Sequence, residues 1–477
     1  MNTLRISACL VAIALASGCS ARPERFVDPV ENPEPQVRVT SPTEKGIAEF
    51  KDLEFIEGEP EVVNLGTMGM TQAFRVGDVT VIHRATPANS VVAANLYIVG
   101  GSQNLTMVTS GIEQLATSVA TQGGVEGMSK DAFNAKLDSM GAEIFNFTDR
   151  DYSGYGFKTV VDNFDATWDL FTQAVMSPAM PDDVVELRKT QQLATISQML
   201  EDPDRHVSYI AARKFSKTTP TSICRPARPN PVASFTREDL RAYQREMLRP
   251  ERMLLVVVGN VSASDVVNRL KASFGRLKAS GQDLKPLPNF SSKPGVTFAD
   301  RDLPTNYILG YFEAPSPGSP EYPAMLVAVE YLRDRLFEEV RTKRNLTYAV
   351  ASGLSEKKTN FGYLYVTATD PQTTMGVIFD QIEEMKLIQI SKTELDEVIN
   401  VYLTNHYMGL ETNGGQANML ALAQITSGDW RMAEAFLAEI RAVTPEDVQN
   451  AARKYLQNYR FGVVGPRAAL NESMFTP

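Results

Sequence analysis

One short sequence pattern occurs twice, near the end of each half of the chain. Thr236-Arg-Glu-Asp-Leu is followed by the apolar run 254–259, and Thr444-Pro-Glu-Asp-Val is followed by the apolar run 461–465. From the Thr to the final Gly there are 23 positions in the first copy and 21 in the second. A Thr at the N-cap accepts from free backbone N–H groups, and acids in the first turn suit the helix dipole. Each copy therefore predicts a capped helix that leads into a buried strand.

The strand and helix signals around these copies follow the same order in both halves. Stretches of β-branched or aromatic residues predict strands, and apolar residues at three-to-four spacing predict helices. In the first half the predicted strands are 61–65, 71–81, 91–99, 142–148 and 152–161, and the predicted helices are 111–122, 130–140, 164–176 and 182–200. In the second half the predicted strands are 307–312, 347–354 and 361–369, and the predicted helices are 321–341, 374–387, 393–407 and 415–426. This shared order indicates a duplicated α+β domain.

Proline marks the boundary between the two halves. Pro286, Pro288 and Pro294 fall in the segment 281–295, which is the predicted linker. The predicted divisions on either side of it are an N-terminal domain at 56–280, a C-terminal domain at 296–467 and a tail at 468–477.

Charge and hydropathy exclude two broad classes of protein. Lys and Arg number 47 against 57 Asp and Glu, which gives a formal net charge of −10. An acidic chain lacks the broad positive surface that phosphate backbones require, so no nucleic-acid partner is expected. No apolar run after residue 20 reaches the roughly 18 residues that a membrane-spanning helix needs. A polytopic membrane protein is therefore excluded.

Residues 1–19 predict a lipoprotein signal peptide. A positive residue precedes an apolar stretch at 6–16, which has the length of a signal-peptide core. The sequence LASGC at 15–19 resembles a bacterial lipobox, which predicts cleavage before Cys19 and lipidation of its thiol; plain secretion with cleavage nearby is the alternative. Ser20 resembles the default signal for sorting to the outer membrane. The proline-punctuated stretch 20–55 predicts an extended tether.

Histidine and cysteine are too few and too widely spaced for a local metal or disulfide motif. The closest pair of the three His residues, His83 and His206, is 123 positions apart, which excludes a local zinc-binding pair. Export would remove Cys9 and acylate Cys19, which leaves Cys224 without a partner. No disulfide framework is therefore expected, and the role of Cys224 is left open.

Three kinds of segment resemble the pitrilysin/insulinase superfamily of zinc peptidases, which includes mitochondrial processing peptidase. They are the run 256–261, the two Thr-x-Glu-Asp helices and the sequence RLFEEVRTKRNLTY at 335–348. The resemblance spans roughly residues 60–467. It implies that each half is an antiparallel sheet with helices packed on one face, and that the two homologous halves form a clamshell around a chamber.

The zinc motif of the family is degenerate at the matching positions. Active members carry HxxEH on the first helix of the first half, where this chain has Gln114, Thr117 and Ser118. A Glu on a later helix, the third family ligand, falls near Thr195. Catalytic zinc requires His nitrogen or carboxylate ligands, so the resemblance implies that this chain binds no zinc. Glu113 lies about 6 Å along the helix axis from Thr117, too far to replace the catalytic Glu, and is predicted to be a solvated surface acid.

The second half keeps a residue pair that active members of the family use. In those members an Arg and a Tyr seven residues later reach across to the zinc site, and Arg341 and Tyr348 have this spacing. A Tyr hydroxyl can stabilise the oxyanion of a tetrahedral intermediate, and a guanidinium can hold a peptide carbonyl. The alternative is structural: Arg341 would cap the C-terminus of a helix, and Tyr348 would fill the face of a strand.

The sequence GAEIFNFT at 141–148 resembles the edge strand to which substrates of the family add as a further strand. Asn146 and Thr148 match the Asn-x-Thr pattern of that edge, which predicts a peptide groove that persists without the metal. An ordinary strand with no role in binding accounts equally well for the same residues.

Two functions follow from this combination of lost and kept residues. In the first, the chain is the subunit without zinc of a heterodimeric peptidase in the bacterial envelope. It supplies Arg341 and Tyr348 to a homologous HxxEH-bearing subunit, which holds the zinc and acts on peptides or unfolded proteins. In the second, it is a catalytically inactive lipoprotein that binds peptides or serves as a scaffold at the periplasmic side of the outer membrane. A hydrolase with unrecognised catalytic residues is a third alternative.

Overall fold

The computed structural model describes residue 47 and residues 49–215, 228–281, 284 and 293–476. These residues form twelve strands: β1 (Val62–Met68), β2 (Thr71–Val76), β3 (Val79–Ala85), β4 (Val91–Val99), β5 (Glu143–Thr148), β6 (Tyr152–Val160), β7 (Met253–Gly259), β8 (Gly295–Asp300), β9 (Asn306–Glu313), β10 (Val350–Leu354), β11 (Phe361–Ala368) and β12 (Arg460–Gly465).

The same residues form fourteen α-helices: α1 (Ile112–Gln122), α2 (Lys130–Met140), α3 (Phe164–Met176), α4 (Asp182–Glu201), α5 (Pro203–Phe215), α6 (Pro229–Ser234), α7 (Arg237–Met247), α8 (Ala263–Lys271), α9 (Tyr322–Leu336), α10 (Pro371–Leu387), α11 (Lys392–Gly409), α12 (Asn413–Ser427), α13 (Met432–Ala442) and α14 (Pro445–Tyr455). None of the helices in this part of the chain is long and apolar enough to span a bilayer.

The two sheets share one topology, which confirms the duplication. The first sheet has the order β1-β2-β3-β7-β4-β6-β5, and the second, taken from its other edge, has the order β8-β12-β9-β11-β10. The second order matches the last five strands of the first, so the β1–β2 hairpin is an addition to the N-terminal half. Both sheets are antiparallel apart from one parallel pair each, β3 with β7 and β8 with β12.

The repeated Thr-x-x-Asp pattern forms the same cap in both halves. At the start of α7 the backbone N–H of Asp239 donates to the Thr236 hydroxyl at 3.2 Å, and the Thr236 N–H donates to the Asp239 carboxylate at 2.8 Å. At the start of α14, Thr444 and Asp447 make the same two bonds at 3.2 and 2.9 Å. Each of these capping boxes gives two backbone N–H groups a side-chain acceptor and so fixes the residue at which the helix begins.

Helices cover one face of each sheet and form the main core of each half. In the N-terminal half, Leu115 of α1, Trp168 of α3 and Leu240 of α7 are buried against strand residues such as Leu255 and Val257. In the C-terminal half, α9, α10 and α14 cover the sheet in the same way. Burying a side chain of this size contributes about 1.5–3 kcal/mol.

Each half also lends one helix to the opposite face of the other half's sheet. Helix α12 packs Leu420 and Ala421 against Leu254, Val256 and the other residues of that face of the N-terminal sheet. Strand β7 is therefore buried on both faces, which explains its unbroken apolar sequence.

Helix α5 of the N-terminal half makes the reciprocal contact. It packs Val207 and Ala211 against Leu309 and Val464 of the C-terminal sheet. A Cβ on Gly462 would lie 2.7 Å from the backbone nitrogen of Ala211, so only glycine at this position allows α5 to approach so closely. The two halves of the clamshell are thus joined by an exchange of helices.

The turn between β5 and β6 contacts the turn between β10 and β11 of the other half. The Lys357 ammonium lies 2.6 Å from the Asp149 carboxylate, and the backbone N–H of Lys358 donates to the Asp151 carboxylate at 2.6 Å. The Arg150 guanidinium donates to the carbonyl of Thr359 at 2.6 Å. The turn between β5 and β6 is therefore fixed to the turn between β10 and β11.

Three predicted elements differ from the observed ones. The predicted strand 71–81 is a hairpin, because Gly77, at a φ of +59°, turns the chain between β2 and β3. The predicted helix 321–341 ends its α-helical part at Leu336 and continues as a π-helical turn at Phe337–Thr342. The predicted tether 20–55 extends too far, because Ile47 is buried in the N-terminal core and the N–H of Lys278 donates to the carbonyl of Glu54 at 2.9 Å.

Candidate functional site

Helix α1 carries Gln114, Thr117 and Ser118, the three positions that the family resemblance predicts as a degenerate motif. Its N-cap is Gly111, whose φ of +90° favours glycine, and the Gly111 carbonyl accepts a 3.1 Å bond from the side-chain amide of Gln192 in α4. Of the motif residues, Gln114 is exposed, Thr117 is fully buried and Ser118 is half-buried. The three side chains share one face of α1 but differ in their exposure to solvent.

The Thr117 hydroxyl ties α1 to the edge strand β5. It donates to the carbonyl of Glu113 at 2.9 Å and accepts from the side-chain amide of Asn146 at 3.0 Å. The Thr121 hydroxyl donates to the side-chain amide oxygen of Asn146 at 3.4 Å. The structure thus brings together two predicted site residues, Thr117 and Asn146, in one hydrogen-bond network between α1 and β5.

The residues at the motif positions do not fit a zinc ion. A hydroxyl already engaged in two hydrogen bonds, a neutral amide and a second hydroxyl replace the two imidazoles and the carboxylate of the family motif. The residue at the third ligand position, Thr195, is exposed and donates to the carbonyl of Gln191 at 3.0 Å. Within the described ranges, no group of three or more His, Cys, Asp and Glu residues is placed to hold a metal ion.

Glu113 is buried, which contradicts the expectation that it is a solvated surface acid. Its side chain is 3% exposed and faces the N-terminal core. Burial raises the pKa of Glu113 to about 7, and hydrogen bonds from Ser153 and Tyr243, together with the charge of Arg252, oppose that rise. The prediction failed because the helical register alone does not show that a polar pocket exists beneath α1.

Strand β5 is an edge of the first sheet and borders a cleft between the halves. Among the described residues it pairs on one side only, with β6. Thr148, the second predicted residue of the edge, is exposed and lines this cleft. The cleft has a volume of about 790 Å³ and separates β4, β5 and β6 from the first turn of α12.

Aromatic rings form the floor of this β5–α12 cleft. Phe145 and Phe147 point to the face of the sheet opposite α1, and the ring of Phe147 lies 4.9 Å from that of Tyr97. Glycines on β6 make room for them, since a Cβ on Gly154 or Gly156 would lie 2.9 or 2.5 Å from a ring atom. No single motif in the sequence indicates this cleft, because its walls come from both halves.

Arg341 lies on the surface of the C-terminal half. It belongs to the π-helical turn Phe337–Thr342, and its guanidinium lies 4.8 Å from the ring centroid of Phe337. Glu339 pairs with Lys343 at 2.6 Å and with Arg344, whose guanidinium also donates to the carbonyl of Glu339 at 2.9 Å. Arg344 thus takes the helix-capping role that was the structural alternative for Arg341, and no carboxylate among the described residues lies within 4 Å of Arg341.

Tyr348 is 85% exposed, which contradicts the alternative that it fills a strand face. It lies just before β10, and its side chain makes no hydrogen bond to any described residue. The π-helical turn packs against α9, α10 and β10, all in the C-terminal half. Arg341 and Tyr348 thus belong to the C-terminal half and are both exposed, whereas Gln114, Thr117 and Ser118 belong to α1 of the N-terminal half. Cys19 and Cys224 lie outside the described residues.

Two models of one peptidase family match the chain in succession. The model described as insulinase (peptidase family M16) matches residues 80–226, and the model described as peptidase M16 inactive domain matches residues 234–402. An uncharacterised zinc protease of Mycobacterium leprae is 23% identical over 426 residues, which is 87% of this chain and 95% of the relative.

Two solved structures share the fold at low sequence identity. A peptidase M16 inactive domain from Pseudomonas fluorescens superposes with a TM-score of 0.74 and 19% identity, over 83% of this chain and 98% of that chain. The periplasmic protease PqqL from Escherichia coli superposes with a TM-score of 0.74 and 16% identity, over 87% of this chain but 48% of that chain.

Proposed function

We propose that this chain, which belongs to the insulinase family of peptidases, is the subunit without zinc in a two-chain peptidase of the bacterial envelope. A homologous partner subunit bearing HxxEH would hold the zinc, and this chain would supply Arg341 and Tyr348 to the partner's site. The lipidated Cys19 would anchor the complex to the outer membrane on the periplasmic side.

One observation carries the proposal. Tyr348 is 85% exposed and Arg341 has no ion pair among the described residues, whereas the motif positions on α1 hold no metal ligand. An exposed Tyr without a hydrogen bond to a described residue, and an Arg that contacts the exposed ring of Phe337, add little to the packing of this half. A surface of this kind fits a role toward a second chain.

The chemistry of the two side chains suits the electrophilic side of peptide hydrolysis. The Tyr348 hydroxyl would donate to the oxyanion that forms as the scissile carbonyl becomes tetrahedral. The Arg341 guanidinium would hold a neighbouring peptide carbonyl and so fix the substrate in register. The aromatic ring of Phe337 lies against Arg341 and restricts the positions that the guanidinium samples.

The length of one structural neighbour supports a two-chain arrangement. This chain superposes on only 48% of the periplasmic protease PqqL. A protease chain about twice as long leaves room for a second unit of similar size. In a two-chain peptidase, the partner subunit would provide that second unit.

A detergent pull-down of the tagged, lipidated chain from its own cells tests the proposal. We expect mass spectrometry to find a stoichiometric homologous partner with an HxxEH motif, and metal analysis of the same eluate to find about one zinc per pair. Zinc bound to this chain in the absence of a partner would overturn the proposal. So would an eluate with neither partner nor zinc.

A catalytically inactive peptide-binding lipoprotein is the second candidate. The observation that favours it is the position of β5, an edge strand beside the aromatic β5–α12 cleft. An extended peptide could pair with this edge and place alternate side chains in the cleft. Under this proposal the eluate would contain peptides but no HxxEH-bearing subunit, and Arg341→Ala would leave peptide binding unchanged.

A further inference from the structure

A second cavity lies within the C-terminal half, away from α1 and from Arg341. Its volume is about 480 Å³, which is within the size range of small-molecule sites. Helices α11, α12 and α13 and the start of α9 form its walls, and the turn before β11 closes one side. We refer to it as the Tyr322–Tyr402 pocket.

Aromatic rings from three helices surround this pocket. The rings of Tyr322 and Phe436 lie 5.5 Å apart, and those of Tyr402 and Phe436 lie 6.5 Å apart. The His406 ring lies 6.2 Å from that of Tyr402. The faces of such rings carry negative electrostatic potential, so an arrangement of this kind attracts a cation.

Glu356 is the carboxylate in the wall of the pocket. It makes no ion pair or hydrogen bond with any described residue, and its neighbour Lys357 turns away to Asp149. Burial raises the pKa of both Tyr322 and Tyr402, and the charge of Glu356 raises it further, which places the carboxylate near both hydroxyls. The φ of Glu356 is +55°, a conformation that costs free energy for a residue other than glycine.

Burial raises the pKa of Glu356 and the charge of Lys357 opposes that rise, but no cationic side chain lines the pocket wall beside this carboxylate. No Lys or Arg is among the residues that line the pocket, and burial lowers the pKa of His406, which favours its neutral form. The Nε2 atom of His406 is buried and has no hydrogen-bond partner. Leu410, Met419 and Met432 supply apolar surface. The pocket thus combines one carboxylate that makes no ion pair with a described residue, aromatic faces and an apolar wall.

We propose that the Tyr322–Tyr402 pocket binds an organic ammonium group. The carboxylate of Glu356 would balance its charge, the rings of Tyr322, Tyr402 and Phe436 would contact its alkyl groups, and the apolar wall would hold the carbon chain. The ammonium group would come either from a free small amine or from the lysine side chain of a bound peptide. This site does not depend on a peptidase partner.

Ligand-observed NMR titration of the full chain tests the charge requirement. Choline should bind with a Kd at least about tenfold lower than that of its neutral isostere 3,3-dimethylbutan-1-ol. Glu356→Gln should weaken choline binding by about tenfold or more. Glu397→Gln removes an exposed carboxylate from α11 outside the pocket and should change the Kd less than twofold.

A second variant separates binding from folding. Glu356→Gly removes the carboxylate but suits the positive φ, so it should melt at the same or a higher temperature than the parent chain while losing choline binding. Equal affinity for choline and its neutral isostere would overturn the proposal, as would unchanged binding by Glu356→Gly. A comparison of choline with N-acetyl-lysine amide identifies the source, since the tighter ligand shows whether the pocket takes a free amine or a lysine side chain.

Discussion

The side-chain amide of Asn146 donates a 3.0 Å hydrogen bond to the hydroxyl of Thr117. The resemblance to the peptidase family predicts that Thr117 stands at the position of the catalytic Glu of active members, and Asn146 belongs to the edge strand β5. In this structure the residue at that predicted position joins helix α1 to strand β5 by a side-chain hydrogen bond.

Replacing Thr117 by Val should destabilise the fold through this contact. The substitution keeps the volume but removes the acceptor of the half-buried Asn146 amide nitrogen, while Thr121 still donates to the amide oxygen, and the cost should be about 0.5–1.5 kcal/mol. Urea unfolding gives the difference. Thr195→Val is the matched control, because that hydroxyl is exposed and bonds only within its own helix, and it should change stability by less than about 0.5 kcal/mol.

If the proposed two-chain peptidase forms, Tyr348→Phe should reduce its cleavage of peptides without affecting its assembly. Removing one donor to an oxyanion lowers kcat by about 10²–10³-fold. The effect of Arg341→Ala should fall mainly on KM, because the guanidinium positions substrate. Two control variants should retain activity. Tyr407→Phe alters an exposed Tyr outside the proposed site, and Lys343→Ala alters the basic residue two positions after Arg341. Unchanged kinetics in both site variants would refute the role assigned to the pair.

Glu113 should make the stability of the chain depend on pH. Burial raises its pKa to about 7 in the folded state from an ordinary value of 4.5. Between these two values the folded chain keeps a proton that the unfolded chain loses, so stability falls as the pH rises and levels off above about 7. Glu113→Gln cannot ionise, and its stability relative to the parent chain should therefore increase over this window, by on the order of 3 kcal/mol.

Urea unfolding of both proteins at pH 5 and pH 8 measures this effect. Glu126→Gln alters an exposed acid just beyond α1 and should leave the difference between the two pH values unchanged. A stability difference between Glu113→Gln and the parent chain that does not vary with pH would show that Glu113 is ionised throughout.

Two of the three contacts between the β5–β6 turn and the β10–β11 turn should differ in strength. Asp151 is 3% exposed and accepts from the N–H of Lys358 and from the Arg150 guanidinium, so Asp151→Ala removes two hydrogen bonds to a buried carboxylate and should cost about 1–3 kcal/mol. The ion pair of Lys357 and Asp149 is partly solvated, so Lys357→Met should cost about 1 kcal/mol or less. Thermal unfolding ranks the two, and the reverse order would contradict the prediction.

Two glycine-to-alanine substitutions should have opposite effects. A Cβ on Gly154 would lie 2.0 Å from the carbonyl oxygen of Leu96, and the strands would have to move apart, at a cost of about 1–3 kcal/mol or more. Gly376 lies in α10 with nothing within 4 Å of its Cβ position, so Gly376→Ala should stabilise the chain by about 0.5–1 kcal/mol. The melting temperatures of the two variants check both.

The duplicated unit was predictable because its signals are local. The cap at Thr236 and the cap at Thr444 depend on residues three positions apart, and the apolar strands that follow need no distant contact to be recognised. The hairpin at Gly77 was not predicted, because apolar residues on both sides of a two-residue turn continue the strand pattern. The sheets that α5 and α12 contact could not be predicted from the sequence either, because an apolar stripe shows that a helix is covered but not which sheet covers it.

Only part of the candidate site could be predicted from the sequence. A family resemblance located Arg341 and Tyr348, and their exposure agrees with a role at the surface. Glu113 was misjudged, because an acidic residue beside a degenerate motif is usually solvated, and only the tertiary structure places Tyr243 and Ser153 beneath it. The Tyr322–Tyr402 pocket carries no sequence motif, because its residues come from five segments of the C-terminal half.

The exchange of α5 and α12 imposes an order on biosynthesis. The N-terminal sheet is complete once β7 has been made, but the helix that covers its second face follows about 150 residues later. Until then the ribosome or the translocon has released a sheet with an uncovered apolar face, which is a binding site for chaperones and a source of aggregation. A truncation before α12 should therefore yield insoluble protein rather than a folded first half, and the gene cannot be divided at the linker into two independent domains.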